Sequence, residues 1–333
     1  MTAPQFDIVA IGNALVDVLS HQEDEFVVVR GITKGLMAPI APQRAVVLHR
    51  EMGICEEVSG GSAANTLAAL AGAGARCAFV GQVGDDRLGT LFADDLHRHH
   101  IAFDVAPLPE VPTGRCLIIV HPDGHRTMNT AIGASEYLPP ASLDPALIAS
   151  SGILYVEGYM FRTEQPRARA IEAIGFAREA GRKVAFTLSS EFCISEHGDE
   201  FRGLIADGLI DILFANDGEL CAITGIADFD AALAHLATQV PLLIVTCGPE
   251  GAVGVAGGKR FDVPAEPAGP VVDTTGAGDA FAAGVFAGLV RGEPLPVALR
   301  MGSVVAGEII TRIGPRFREG EDVAALISER MGR

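Results

Sequence analysis

Asp273-Thr274-Thr275-Gly276-Ala277-Gly278-Asp279-Ala280-Phe281 runs without a break into the apolar stretch from Ala282 to Val290. Glycines and other small residues crowd the turn. The pattern behind it has helical spacing and almost no polar residue on any side, as in a helix buried at the centre of a domain. The first turn of such a helix leaves the N–H groups of Gly276 to Asp279 unpaired, at the positive end of the helix dipole, with no bulky side chain to block approach. The turn is therefore a seat for an anion. A carboxylate at Asp279 repels phosphate, yet it suits a base that takes a proton from a hydroxyl attacking phosphorus. The plainer alternative is a first-turn acid that complements the dipole.

Outward from this stretch, 333 residues of which 49% are hydrophobic are enough for one large α/β domain or two modest ones. With 25 basic against 42 acidic residues, net −17, the chain lacks the basic face that non-specific nucleic-acid or anionic-membrane binding requires. An anionic substrate must then be captured by local donors or a metal. The segment from Met1 to Phe6 has no basic start or long apolar core of a leader, and no apolar run reaches membrane length, so a cytoplasmic location is expected. Cys55, Cys77, Cys116, Cys193, Cys221 and Cys247 are scattered without a C-x-x-C, which argues for free thiols over disulfides or a zinc site.

Phe6 to Gly12 reads as a buried strand, and Asn13 to Asp17 follow at its carboxyl end, where open α/β sheets bind ligands. Asp17 is a site candidate there, against the alternative of a solvated loop acid. From Phe26 to Leu48 the run Val27-Val28-Val29 and scattered Gly and Pro predict short strands or loops. Gly60-Gly61-Ser62-Ala63-Ala64-Asn65 opens a small-residue helix to about Ala73, followed by the strand Cys77 to Val80. Its glycines let a ligand lie against the backbone, and Asn65 offers a donor and an acceptor to a polyol; a tight turn and an ordinary helix residue would read the same way. Asp85 to His100 reads as an amphipathic surface helix, with His97, His99 and His100 at a solvated end and no further ligand to complete a metal set.

Thr113 to Val120, a turn at Pro122-Asp123-Gly124, and His125 to Thr130 predict a β-hairpin. It interrupts the βα alternation. Residues 1–333 are accordingly read as a single domain carrying a small sheet as a cover, built from segments within about 14–50 and 103–131. Arg126 would be an exposed hairpin arginine, or a mobile charge that reaches a phosphate when the cover closes. Strands near 152–157, 183–188, 210–214 and 241–247 then alternate with helices near 165–180, 199–208, 217–224 and 229–238, as in a doubly wound, mostly parallel sheet flanked by helices. Asn216-Asp217-Gly218-Glu219 and Thr246-Cys247-Gly248-Pro249-Glu250-Gly251 each follow a strand with polar or glycine-rich tips. Pro294 or Pro296 begins a late helix and Gly314-Pro315 ends it.

No G-x-x-x-x-G-K-[ST] occurs, Gly276-x-Gly278 lacks the third glycine of a dinucleotide fingerprint, and there is no G-x-S-x-G elbow. The glycine-rich stretches at 60–65 and 273–279 instead resemble the two signatures of the ribokinase-like, or PfkB, carbohydrate and nucleoside kinases. The order and spacing of the other motifs agree from near residue 6 to about 315. Gly12 to Val18, Thr113-Gly114-Arg115-Cys116 and Arg126-Thr127-Met128-Asn129-Thr130 look most like the bacterial members grouped with adenosine kinase.

The resemblance implies ATP-dependent phosphorylation of the 5′-hydroxyl of a ribonucleoside, adenosine first. Asp279 would be the base and the amides of Gly276, Ala277 and Gly278 the anion hole. Asp17 would hold the ribose 2′ and 3′ hydroxyls, with Asn13, Gly60, Gly61, Asn65 and Arg126 on the acceptor side. Asn216, Thr246, Gly248 and Gly251 would bind ATP, and Glu219 would organise Mg²⁺ through water. Asp273 and Thr275 match positions where some members hold a monovalent cation such as K⁺. An inosine, guanosine, ribose or fructose kinase, or a non-catalytic nucleoside sensor, would share these residues. The implied partners are small molecules, and a monomer or a homodimer fits equally.

Overall fold

Phe6–Ile11 and Cys77–Val80 carry apolar residues on both faces, the composition of strands covered by helices on either side of a parallel sheet. In the computed structural model, which describes residues 4–123, 125–318 and 320–332, both lie in one large sheet. Gly124 of the expected turn and residues 1–3 lie outside the described residues.

In chain order the first strands are β1 (Phe6–Ile11), β2 (Leu15–His21), β3 (Met37–Pro39), β4 (Glu56–Ser59), β5 (Cys77–Val80), β6 (Gly114–Val120) and β7 (Arg126–Ala131). There follow β8 (Ser151–Glu157), β9 (Lys183–Thr187), β10 (Ile212–Asn216), β11 (Leu242–Thr246), β12 (Ala252–Ala256) and β13 (Lys259–Val263). The helices are α1 (Asp24–Val28), α2 (Pro42–Met52), α3 (Ser62–Gly72), α4 (Arg87–Arg98), α5 (Pro145–Ala149) and α6 (Glu164–Glu179). After them come α7 (Glu191–Ala206), α8 (Asp217–Thr224), α9 (Phe229–Leu236), α10 (Ala277–Val290), α11 (Leu295–Ile309) and α12 (Val323–Met331).

Among the described residues the large sheet has eight strands in the order β13-β12-β11-β10-β9-β8-β1-β5, parallel from β11 to β5 and antiparallel at β12 and β13. The antiparallel edge was not foreseen, because Gly254 and the Gly257-Gly258 turn break up its apolar pattern. A second sheet, β3-β7-β6-β2-β4, stands apart and contains the expected hairpin as β6 and β7. Strand β4 supplies one of its edges from beyond residue 50.

Helix α10 is buried from Ala280 to Gly288, as its all-round apolar sequence predicts. Its Phe286 meets Tyr155 of β8 and Phe214 of β10, each at 5.1 Å between ring centroids. The centre of the sheet thus holds the helix whose first turn forms the candidate site.

The expectation of short strands or loops over residues 26–48 holds for the stretch between α1 and α2, which contains β3, and is corrected at both ends. Val27 and Val28 lie in a helix, not a strand: Asp24 and Glu25 complement its dipole, and only Val27 faces inward, while Val28 and Val29 are more than two-thirds exposed. Helix α2 starts with Pro42 in its first turn and buries Ala45, Leu48 and Met52, a helical stripe that the flanking Gly and Pro obscure. Helix α7 also begins eight residues before the expected 199, because Ser190 accepts the Cys193 N–H and caps it.

Candidate active site

Strands β1 and β8 are neighbours, but the chain leaves them toward opposite edges of the sheet, and such a switch point opens a crevice at the strands' carboxyl ends. Asn13 follows β1 there and Glu157 closes β8. The fully buried Glu157 carboxylate accepts hydrogen bonds from Asn13 N (2.7 Å), Asn13 Nδ2 (2.9 Å) and Ala63 N (2.9 Å). Burial pushes its pKa up to about 7 in spite of these donors. Asn13, expected on the acceptor, thus spends its amide N–H₂ on Glu157 and also ties β1 to β8.

The chain enters α3 through Gly61 at φ 87°, a region that disfavours side chains, and a Cβ there would lie 2.3 Å from the Asn13 carbonyl oxygen. This contact sets the start of α3 against the end of β1. From α3, Ser62 Oγ donates to Asp279 Oδ1 (2.6 Å) and Asn65 Nδ2 to Asp279 Oδ2 (3.0 Å). Asp279 is half-buried, and loss of water raises its pKa to about 6, against the lowering effect of Ser62, Asn65 and the charge of Arg316. Its carboxylate therefore does not cap its own helix; it faces α3 across the crevice.

Asp17 approaches from the other sheet. It lies on β2 opposite Val58 and Cys116, and is 8% exposed. Gly60 fits beside it only because it lacks a side chain, since a Cβ would lie 2.7 Å from the Asp17 carboxylate. Burial raises Asp17 to about 7; Arg316 opposes the rise, and the charges of Asp279 and Asp273 add to it. Asp17 and Asp279 thus share one electrostatic environment.

At the tip of α10, Gly276 is left-handed (φ 75°) and its Cβ would strike Pro315 at 2.5 Å. This closes a turn in which Ala277 N–H donates to Thr274 O (3.1 Å). The expectation of four open amides is thereby corrected: those of Gly276, Gly278 and Asp279 have no partner among the described residues, whereas that of Ala277 does. Asp273 is held firmly. Its Oδ1 accepts from Thr275 N and Oγ1, and its Oδ2 from Gly314 N (2.8 Å) and Arg126 Nη1 (2.7 Å). Burial works against ionisation, but these bonds keep its carboxyl below the usual range. Arg126, on β7, also reaches Thr275 Oγ1 (3.3 Å) and so links the small sheet to the turn before α10.

On the far side of that turn a cavity of about 590 Å³ is lined by Thr246, Gly248, Gly251, Ala277, Gly278 and Phe281, among others. Asn216 pairs with Thr246 in the sheet and begins α8 with a capping box: its side chain accepts the Glu219 N–H, and Glu219 accepts its N–H in return (3.0 Å). Burial lifts Glu219 to about 7. A second cleft, of about 880 Å³, opens on the back of the small sheet beside Arg115, which points away from Asp17's face.

Three residues of the crevice carry no role in the sequence reading: Ser62, Glu157 and Arg316. Glu157 had the same signal as Asp17, a carboxylate at a strand end. Ser62 lay within a quoted signature. Arg316 follows a Gly-Pro turn and gives no local signal.

Residues 24–320 match the pfkB family of carbohydrate kinases. The chain belongs to this family. A probable sugar kinase from Rhizobium etli has 35% identity and a TM-score of 0.90, covering 99% of both chains. The adenosine kinase of Sinorhizobium meliloti has 39% identity and a TM-score of 0.89, covering 99% of this chain and 100% of that one. The adenosine kinase of Saccharomyces cerevisiae is 26% identical over 95% of this chain and 97% of its own length. As a pfkB kinase, the protein is an enzyme that transfers a phosphoryl group from ATP to a small-molecule acceptor of the sugar and nucleoside class. Among the described residues no helix is long and apolar enough to cross a membrane.

Proposed function

We propose that this kinase phosphorylates the 5′-hydroxyl of adenosine, with Asp279 as general base. The observation that carries the reading is the convergence of two carboxylates on one crevice: Asp17 from the small sheet and Asp279 from the tip of α10, with Gly60, Gly61 and Asn65 between them. Asp17 takes the ribose 2′ and 3′ hydroxyls, which directs the 5′ carbon toward Asp279. The adenine ring then lies under the small sheet, beside the residues that share Asp17's face: Cys116 pairs with Asp17 and Thr130 with Cys116. Overall similarity to an adenosine kinase across the whole chain favours adenine there.

ATP occupies the cavity beyond the anion turn, between Thr246, Gly248 and Gly251 and the first turn of α10. The γ-phosphoryl group then sits at the open amides of Gly276, Gly278 and Asp279, in line with the 5′ oxygen, and these donors stabilise the charge that builds on it. Mg²⁺ travels with ATP and supplies further charge compensation. Both oxygens of Glu219 are already engaged by Asn216, and among the described residues no cluster of three acidic, His or Cys side chains is arranged to hold a metal, so Glu219 fits a role through water. A K⁺ ion at Asp273 and Thr275 has no room while the Arg126 guanidinium stands there, as it does before the lid closes, and it is assigned no step.

The small sheet acts as a lid that excludes water from the transferred group. Arg126 moves from Asp273 toward the γ-phosphate as the lid closes. The cytoplasm, where ATP is available, is the proposed location.

Initial rates at saturating Mg-ATP with adenosine, inosine, guanosine, cytidine, ribose and fructose test the acceptor. Adenosine is expected to give the highest kcat/KM. A sugar or another nucleoside in first place would retain the mechanism and replace the substrate.

A further inference from the structure

Arg316 is 8% exposed and bridges three elements of the crevice. Its Nε donates to Asn65 Oδ1 on α3 (2.8 Å), its Nη2 to the Gly60 carbonyl (3.1 Å), and its Nη1 to Asp95 on α4. An amide side chain has one accepting and one donating end, whereas a guanidinium only donates. By engaging Oδ1, Arg316 leaves Nδ2 as the end that faces Asp279, where it donates at 3.0 Å. The flipped amide would set Oδ1 against the Asp279 carboxylate and N–H₂ against the guanidinium, two repulsive contacts in place of two attractive ones. The bond to Gly60 fixes the turn that lies against Asp17.

The charge has a second effect. Asp17 on β2, Asp279 on α10, Asp95 on α4, Asp273 before α10 and Glu157 on β8 bring negative charge to this region, and Arg126 is taken up by Asp273. Arg316 lowers the pKa of both Asp17 and Asp279 against the effect of their burial.

We propose that Arg316 is a positioning residue for phosphoryl transfer, which orients Asn65 against the base and balances the charge of Asp17 and Asp279. This rests on the assignment of Asp279 as base. The test is a pair of full-length variants, Arg316→Met and Arg316→Lys, assayed with adenosine and Mg-ATP from about pH 5.5 to 9. In Arg316→Met the loss of an opposing charge raises the pKa of the base, so the acid limb of kcat/KM moves up by about one to three pH units. Its activity is then at least about fivefold further below wild type at pH 6 than at pH 9. Arg316→Lys retains the charge but not the fork that meets Asn65 and Gly60 together, so its limb stays near wild type while kcat falls by about tenfold or more. The KM for ATP is unchanged in both, since the hydrogen bonds of Arg316 go to Asn65, Asp95 and Gly60 and to none of Asn216, Thr246, Gly248 or Gly251.

A Met profile that superimposes on wild type after scaling would overturn the proposal and leave Arg316 a purely structural residue. If thermal melting shows that Arg316→Met does not fold, Arg316→Lys decides, and wild-type kcat in that variant contradicts the proposal. Asp279→Asn separates the two levels: normal turnover there removes the base assignment itself, while a dead Asp279→Asn beside an unshifted Arg316→Met removes only the role of Arg316.

Discussion

Asp279→Asn is expected to lower kcat by about 100- to 10,000-fold, the range that general-base help supplies. Asparagine keeps the size of the side chain, and its oxygen still accepts from Ser62 or Asn65, so the crevice retains its shape. What it loses is the ability to take a proton from the acceptor hydroxyl. The open amides of Gly276 and Gly278 remain, and they account for residual turnover. In the wild-type enzyme the raised pKa of about 6 places the base on its ionised side at neutral pH. Activity therefore falls as the pH drops through that value, because protonation removes the proton acceptor. Measured kcat within about tenfold of wild type, with KM values unchanged, would remove Asp279 from the chemistry.

Asp17→Ala is expected to act on the acceptor and not on the chemical step. A hydrogen bond to a charged group contributes about 1.5–3 kcal/mol, and Asp17 is assigned two, so the acceptor KM should rise by about 100-fold or more. The KM for ATP should stay within about threefold, since Asp17 lies across the crevice from the nucleotide cavity. Stability gives an independent readout. The pKa of Asp17 is raised to about 7 by folding, so its protonated form is favoured, and the stability that it contributes is lost as the pH rises through that value. Above it, the ionised carboxylate is a buried charge in the free enzyme, and Asp17→Ala should melt no lower than wild type at about pH 8. An unchanged acceptor KM would take Asp17 out of the sugar site.

Much of the crevice could be read from local pattern. Asn216 and Thr246 end strands whose apolar runs are plain, Asp17 follows the plain run of β1 although it lies within β2 and not in a loop, and Gly61 and Gly276 stand where the backbone takes positive φ. The buried helix behind Gly276 announced itself by having no polar face. Contacts between distant segments were not legible. Arg316 meets Asn65 across 251 positions and Arg126 meets Asp273 across 147, and nothing in either local sequence names the partner. The partner of Glu157 was hidden for the same reason, although its place at a strand end was visible. Ala277 shows a different limit: a left-handed Gly276 folds one amide of the anion turn back on Thr274, and that depends on Pro315 pressing on the turn. Residues 27–29 misled because a triplet of valines satisfies a strand pattern, while the acids before it fix a helix start.

The account turns on a 5′-hydroxyl placed between Asp279 and the anion turn, and the most direct test removes that hydroxyl alone. ADP formation is measured with adenosine and with 5′-deoxyadenosine, each at saturating Mg-ATP. Adenosine should support turnover to its 5′-monophosphate. The deoxy compound should yield no phosphorylated product, yet inhibit adenosine competitively, because Asp17 still holds its 2′ and 3′ hydroxyls. A phosphorylated product from 5′-deoxyadenosine would contradict the account, since phosphate would then be going to a hydroxyl that Asp17 is assigned to bind.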